Sequence, residues 1–178
     1  MTTTTRTTTP VLGRALLGLA AVVASTTLLT GCGVIQQFLG GAGDATRDDT
    51  GTVTEGTDNG DVFLLRVGDC IDDTDLGEVV TTLPIVPCAD EHTGEVYAES
   101  TLSGDTFPGE DAVATQSDEA CYAEFAGFVG LEYESSVLNY YPFTPTADSW
   151  AQGDRLVSCV VYDPDVATTT GSLAGAAR

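Results

Sequence analysis

Five cysteines constrain the fold of this 178-residue chain more than any other feature of its sequence. They lie at positions 32, 70, 88, 121 and 159. No two of them have the close spacing that structural zinc sites use. In an exported domain, an even number of cysteines would predict disulfides. The N-terminus therefore decides how the cysteines are interpreted.

The N-terminus has the features of an export signal. Arg6 and Arg14 precede a predominantly apolar run at residues 15–29, and "LTGC" follows with Cys32 as its last residue. A positive segment, an apolar segment and small residues before a cleavage site are typical of a secretory signal. A membrane-spanning helix is the alternative, but the run is short, contains threonines and has no positive residue at its end.

The order Leu-Thr-Gly-Cys resembles the lipobox of bacterial lipoproteins. In that family the cysteine thiol receives a diacylglyceryl group, and cleavage leaves the cysteine as the first residue. The resemblance implies lipidation of Cys32 and a location on the extracytoplasmic face of the cell membrane. Acyl chains suit this role because each buried methylene contributes about 0.8 kcal/mol and a single chain binds only marginally. Lipidation of Cys32 would leave four cysteines to form two disulfides.

The charge of the chain excludes one class of partner. It has 27 acidic residues against 6 basic ones, all arginine, and a net charge of −21. Such a chain lacks the basic patch that neutralises phosphates, so we expect no nucleic-acid partner. Anionic headgroups would also repel it, so membrane attachment would depend on the lipid at Cys32.

The composition divides the chain into four parts. Residues 1–31 are the predicted signal peptide, and residues 32–61, rich in glycine, threonine and aspartate, predict a lipidated flexible tether. Residues 62–162 hold most of the remaining apolar segments and predict one globular domain. Residues 163–178 have the composition of the tether and predict a disordered tail.

Within the globular part, short apolar segments predict strands at residues 62–67, 83–88, 94–102 and 155–162. In the third strand, alternating side chains from Val96 to Leu102 would face the core, and those from Glu95 to Glu99 would face solvent. Four cysteines allow three pairings, and the sequence alone does not decide among them. We favour Cys70–Cys88 and Cys121–Cys159, each contributing roughly 3 to 4 kcal/mol in the chain-entropy model.

Residues 110–129 break the strand pattern and predict one long helix. Glu110 and Asp111 lie in the first turn, and Gly130 follows. The residues that recur every three or four positions, and so form the predicted apolar face, are Ala114, Ser117, Cys121, Phe125 and Phe128. Cys121 lies on the apolar face, where a bridge would join the helix to the last strand. The expected fold class is α+β, a small, mostly antiparallel sheet with one long helix packed on it and two disulfides.

His92 is the only histidine, and three interpretations of it are possible. It could serve a hydrolase with Asp90 or Glu95, or with Asp154 or Arg155 if a cleft contains them. It could bind a metal, but only with carboxylates as further ligands. No serine motif and no second histidine accompany it, so we favour a structural imidazole that holds a turn. We expect no enzymatic activity, no metal and no cofactor.

Three further features could bind a ligand or a partner. One is an acidic cluster with possible calcium ligands, Asp72, Asp73, Asp75 and Glu78. These residues lack the EF-hand order, so a solvated loop is the better interpretation. Trp150 could be a ligand platform, but a core anchor is the commoner role of a single tryptophan. A flat apolar patch around Tyr140, Tyr141 and Phe143 would indicate protein binding.

An ordered set of motifs resembles a known family. "LRVGDC" precedes "VPCADEHTGEVYA", a helical cysteine follows, and "PTADSWAQGDRLVSCVV" comes last. This order resembles the septum formation domain of actinobacterial envelope proteins over residues 62–162. The resemblance implies an extracytoplasmic, often membrane-tethered domain with a link to cell division, and it transfers no catalytic residue. It places four residues in structural motifs: His92, Glu95, Trp150 and Arg155.

Together these features predict a lipid-anchored domain of the cell envelope that binds an envelope or division protein. The alternatives are a calcium- or solute-binding lipoprotein and, less favoured, a hydrolase that uses His92.

Replacing Cys32 with serine should abolish lipid attachment, because the lipobox modification takes place on the cysteine thiol. Cells labelled with radioactive palmitate should incorporate label into the wild-type protein and not into Cys32→Ser. Cys70→Ser, which removes a thiol outside the lipobox, should retain the label. Equal labelling of Cys32→Ser and wild type would contradict the prediction.

Overall fold

Eight strands and two α-helices form the part of the chain that the computed structural model describes, residues 43–74, 76–77 and 79–178. The strands are β1 Thr46–Arg47, β2 Val53–Glu55, β3 Thr57–Asp61, β4 Cys70–Ile71, β5 Thr82–Val86, β6 Gly94–Thr101, β7 Asn139–Phe143 and β8 Leu156–Tyr162. The helices are α1 Glu110–Val129 and α2 Ala147–Ala151, and 3-10 turns occupy Val62–Leu64 and Tyr133–Ser135.

Six strands form one antiparallel sheet in the order β3-β5-β4-β6-β8-β7, and β1 pairs with β2 separately. The long helix α1 packs on one face of this sheet. The disulfide Cys121–Cys159 joins α1 to β8, and Cys70–Cys88 joins β4 to the turn before β6. The predicted α+β class and both predicted disulfides are confirmed.

Helix α1 begins and ends where its sequence signals are strongest. Its first turn carries Glu110 and Asp111, which favour the positive end of the helix dipole. It ends at Gly130, whose φ of +83° is a left-handed conformation that glycine adopts without strain. The buried face is Val113, Ser117, Cys121, Phe125 and Val129. The predicted face was slightly rotated, since Ala114 is exposed.

Strand β6 is buried on both faces along its first five residues, contrary to the predicted half-buried strand. Val96 packs into a cluster on the face away from α1, whereas Tyr97 and Ala98 pack beneath α1. The pairing with β8 shifts between Val96 and Ala98, which places an extra residue in β6. Such a bulge reverses the alternation of side chains, so Val96 and Ala98 face opposite clusters.

The second face of the sheet is covered by residues 43–65, which we call the N-terminal layer. Ala45, Val53, Val62 and Leu65 bury their side chains there against Ile71 and its neighbours. The described part of the predicted tether is therefore folded, and β3 is an edge strand of the sheet. Residues 32–42 lie outside the described residues.

An ion pair holds the N-terminal layer to the centre of the sheet. The Asp69 carboxylate is 1% exposed and accepts two hydrogen bonds from the Arg47 guanidinium, one of them Nη2–Oδ2 at 2.8 Å. The backbone carbonyl of Asp69 also accepts from Val96 N–H in β6, at 2.8 Å. The hydrogen bond with Asp69 raises the pKa of Arg47 above its ordinary value, so the guanidinium stays charged.

The predicted disordered tail is folded as well. Residues 163–178, the tail segment, bury Leu173 beneath α1. Gly175 and Ala177 donate their N–H groups to the carbonyls of Phe128 and Val129, at 2.8 and 2.9 Å. These carbonyls belong to the last turn of α1, which has no further helical N–H groups to satisfy them. The prediction failed because it rested on composition, whereas tertiary hydrogen bonds order this segment.

The predicted strand at residues 62–67 is also wrong. Asp61 accepts from Phe63 N–H at 2.9 Å and caps a 3-10 turn at Val62–Leu64. Val62 is buried, whereas Phe63 and Leu64 are about half exposed. Strand β7 and helix α2 were not predicted. Among the described residues, no helix is long and apolar enough to cross a membrane.

Replacing Arg47 with methionine should destabilise the fold by about 3 to 5 kcal/mol, since it leaves the Asp69 carboxylate buried without a counter-charge. Arg66→Met is the matched control, because Arg66 pairs with Asp44 but its side chain is 54% exposed. We expect the control to lose less than about 1 kcal/mol. Urea unfolding of the oxidised proteins measures both values, and equal losses would contradict the structural role of the Arg47–Asp69 pair.

Candidate functional site

The His92 ring is enclosed in the turn that leads into β6, and its side chain is 1% exposed. Its Nδ1 lies 3.0 Å from the carbonyl oxygen of Asp90. A carbonyl only accepts, so Nδ1 carries a proton in this contact. The backbone of His92 forms a bridge with Thr169 in the tail segment, with N–O distances of 3.0 and 2.8 Å.

Glu95 holds the same segment with its side chain. Its carboxylate is 2% exposed and accepts from the Ser172 hydroxyl at 2.7 Å and from Leu173 N–H at 2.5 Å. Nearby, Gly171 N–H donates to the carbonyl of Cys88 at 2.6 Å. Cys88, His92 and Glu95 thus form one attachment site for the tail segment, which we call the tail clamp.

The tail clamp does not have the chemistry of a metal site. Sγ atoms of Cys70 and Cys88 and a carboxylate oxygen of Glu95 lie within 4.8 Å of one another. Metals bind cysteine as thiolate, and these two sulfurs are joined in a disulfide. The Glu95 carboxylate is therefore the one group of the three that could bind a metal, and it is already hydrogen-bonded to the tail segment.

Trp150 and Arg155 form a second structural motif at the other end of the sheet. Trp150 is 3% exposed, packs edge-on against Phe107, and has the Arg155 guanidinium 3.7 Å from its ring centre. Arg155 also donates to the carbonyls of Gly104 at 3.0 Å and Trp150 at 2.8 Å. A capping box between Thr146 and the third residue of α2 starts the short helix that carries Trp150.

The structure does not bring His92 together with Asp154 or Arg155. Gly94, two residues after His92, lies at one end of β6, and Thr101 at the other end pairs with Leu156. An eight-residue strand spans about 25 Å, so the two motifs lie far apart. The hydrolase site that combined them is therefore wrong.

The acidic cluster is partly engaged by its own neighbours. Asp72 accepts from the backbone N–H and the hydroxyl of Thr74, at 3.1 and 2.6 Å, which forms an Asx-type turn. Asp73 accepts a hydrogen bond from the Tyr141 hydroxyl. Asp75 and Glu78 lie outside the described residues.

A cleft of about 950 Å³ opens on the face of the sheet away from α1, beside the N-terminal layer. We call it the aromatic cleft, because Tyr141 and Phe143 of β7 line it and contact each other edge-on. The loop before β5, the strands β7 and β8, and α2 all contribute to its wall. Further apolar lining residues are Val62, Phe63, Leu76, Val79, Val80 and Leu156.

The charged groups that line the aromatic cleft are all carboxylates. They belong to Asp73, Asp148 and Asp154, and no arginine occurs among the described residues that line it. Burial, followed by the hydrogen bond to Asp73, raises the pKa of Tyr141 far above its ordinary value. Its hydroxyl therefore stays protonated and fixes Asp73 at the edge of the cleft.

The sequence matches the septum formation family over residues 28–177. The chain belongs to this family. Membership indicates a role in septum formation, and the match includes both the N-terminal layer and the tail segment. Searches of curated proteins and of solved structures gave no match.

In this septum formation domain, the predicted patch of Tyr140, Tyr141 and Phe143 is divided between two faces. Tyr140 packs beneath α1, with its ring 6.3 Å from that of Tyr97. Tyr141 and Phe143 face the aromatic cleft. Side chains alternate between the two faces of a strand, which explains this division. The prediction placed all three residues in one patch because β7 was not predicted as a strand.

Sequence reasoning missed two other residues of the septum formation domain. Asp69 had no assigned role, although an acid inside the apolar context of "LRVGDC" is a signal for a buried ion pair. Asp148 was not linked to the aromatic cleft, because only tertiary structure brings α2 next to β7 and the loop before β5.

Replacing Glu95 with alanine should release the tail segment, because Ser172 and Leu173 N–H lose their acceptor. We expect a loss of about 1 to 3 kcal/mol and faster digestion of the C-terminus by carboxypeptidase. Glu99→Ala is the matched control, since Glu99 lies on the same strand but is exposed. Thermal melts and timed digestion should separate the two variants, and identical behaviour would show that the tail clamp is not formed by Glu95.

Proposed function

We propose that this protein is a lipid-anchored extracytoplasmic interaction domain that supports septum formation by binding a protein partner in its aromatic cleft. The observation that carries the proposal is the aromatic cleft itself. It is a large concave surface with fixed aromatic side chains and a few polar groups, as ligand-binding sites commonly have.

The way in which β7 ends the sheet favours recognition by side chains over strand addition. The N–H of Tyr140 is bonded to the side chain of its neighbour Asn139 at 2.8 Å, and Pro142 has no N–H. These two residues are two positions apart and face the same edge of β7. A partner strand would therefore lack the donors that it needs there.

The proposed anchor fits the attachment point of the folded domain. Gly43 N–H donates to the carbonyl oxygen of Asn59 in the edge strand β3 at 2.9 Å, so Gly43 already belongs to the folded domain. Cys32 precedes Gly43 by eleven positions, and such a connection spans at most roughly 40 Å. Lipid at Cys32 would thus keep the folded domain within that distance of the membrane surface.

A photo-crosslinking amino acid at position 79 tests the proposal in dividing cells. Val79 lines the aromatic cleft and is 69% exposed, whereas Val137 is 53% exposed and does not line it. We expect a light-dependent adduct with one envelope or division protein from position 79 and not from position 137. Phe143→Ala should weaken the adduct, because it removes an aromatic contact surface inside the cleft.

Two results would contradict the proposal. One is the absence of any position-79 adduct that position 137 does not also give. The other is an adduct that Phe143→Ala leaves unchanged while the variant protein is present at wild-type amounts.

A further inference from the structure

We propose that the aromatic cleft selects a basic peptide segment that combines arginine or lysine with apolar residues. This inference rests on the proposed function, since it names the chemistry of the partner that would occupy the same cleft. Apolar side chains would pack against Tyr141 and Phe143, and the cations would lie next to the carboxylates at the edge of the cleft.

The carboxylates of the aromatic cleft have no cationic partner among the described residues. Each ion pair among the described residues involves one of three acids outside the cleft: Asp44, Asp69 and Asp163. Asp154 accepts from the Ser149 hydroxyl at 2.7 Å, and Asp73 accepts from Tyr141, so hydrogen bonds position both carboxylates. The Arg155 guanidinium donates to the backbone carbonyl of Asp154 and forms no ion pair with its carboxylate. Asp148 is exposed to solvent at the first turn of α2.

The arginines of the described chain are committed elsewhere. Arg47 and Arg66 bind Asp44, Arg178 binds Asp163, and Arg155 stacks on Trp150. None of them lines the aromatic cleft. The net charge of −21 adds a long-range field that attracts cations and repels anions.

This charge distribution disfavours two other occupants. A second copy of the chain would bring 27 more acidic residues to an acidic surface, so like charges would oppose that contact. An anionic polymer or lipid headgroup would meet three carboxylates and no cation among the described residues that line the aromatic cleft. A basic segment with apolar residues matches both the charge and the aromatic lining.

Binding of labelled hexapeptides to the full, lipidated chain tests the inference. The protein would be held in nanodiscs of zwitterionic phosphatidylcholine, with empty nanodiscs as the blank. The probe is a fluorescein-labelled peptide of alternating arginine and leucine, and its affinity is measured by anisotropy. One control peptide has glutamate in place of arginine, and another has serine in place of leucine.

We expect the arginine–leucine peptide to bind, both control peptides to bind at least about tenfold more weakly, and salt to weaken the binding. Asp148→Asn should weaken it about two- to fivefold, the usual effect of one solvent-screened charge pair. Glu119→Gln makes the same charge change on an exposed position of α1, on the opposite face of the sheet, and should have no effect.

Three results would overturn the inference: no binding of the arginine–leucine peptide, equal binding of either control peptide, or equal weakening by Asp148→Asn and Glu119→Gln. Any of these together with a retained adduct at position 79 would reject the basic segment and leave the proposed function standing. If peptide binding meets every expectation but position 79 gives no adduct in dividing cells, the proposed function would be rejected instead.

Discussion

The burial of β6 on both faces is the constraint on which the rest of the structure depends. A strand in an antiparallel sheet commonly has one face in solvent, but Val96 and Tyr97 are both buried, in opposite clusters. A sheet of this kind needs a cover on each side. Helix α1 covers one face, and the N-terminal layer covers the other near β4, β5 and β6. The N-terminal layer, despite its low apolar content, is therefore a necessary part of the fold.

Buried polar side chains attach these covers to the sheet. Asp69 binds the N-terminal layer through Arg47, and Glu95 binds the tail segment through Ser172 and Leu173. A buried carboxylate is tolerated only with such partners, because its desolvation is otherwise costly. The partners are distant in sequence, so each pair also fixes which segment covers which part of the sheet. His92 and Glu95 thus both act in attachment of the tail segment.

The sequence predicted those parts of the fold whose signals are local. Periodicity and flanking residues located α1, alternation located β6, and a β-rich segment between turn residues located β8. The even number of cysteines after Cys32 predicted two disulfides but did not decide their pairing. Composition failed for residues 43–61 and 163–178, because glycine and aspartate are frequent in ordered turns as well as in flexible segments. Their order comes from contacts such as Leu173 beneath α1, which no local pattern contains. The aromatic cleft was beyond prediction for the same reason.

The aromatic cleft follows from the same arrangement of covers. Along β8, Val157 and Cys159 pack beneath α1, while Leu156 and Ser158 point to the opposite face. The N-terminal layer buries that face as far as Val160, whereas Tyr141 and Phe143 of β7 pack against the same cluster and stay only partly buried. This partly buried end is bounded by α2 and by the acidic loop before β5, and each contributes carboxylates. The aromatic cleft is thus an apolar surface lined by carboxylates, at the end of the sheet that the N-terminal layer buries only in part.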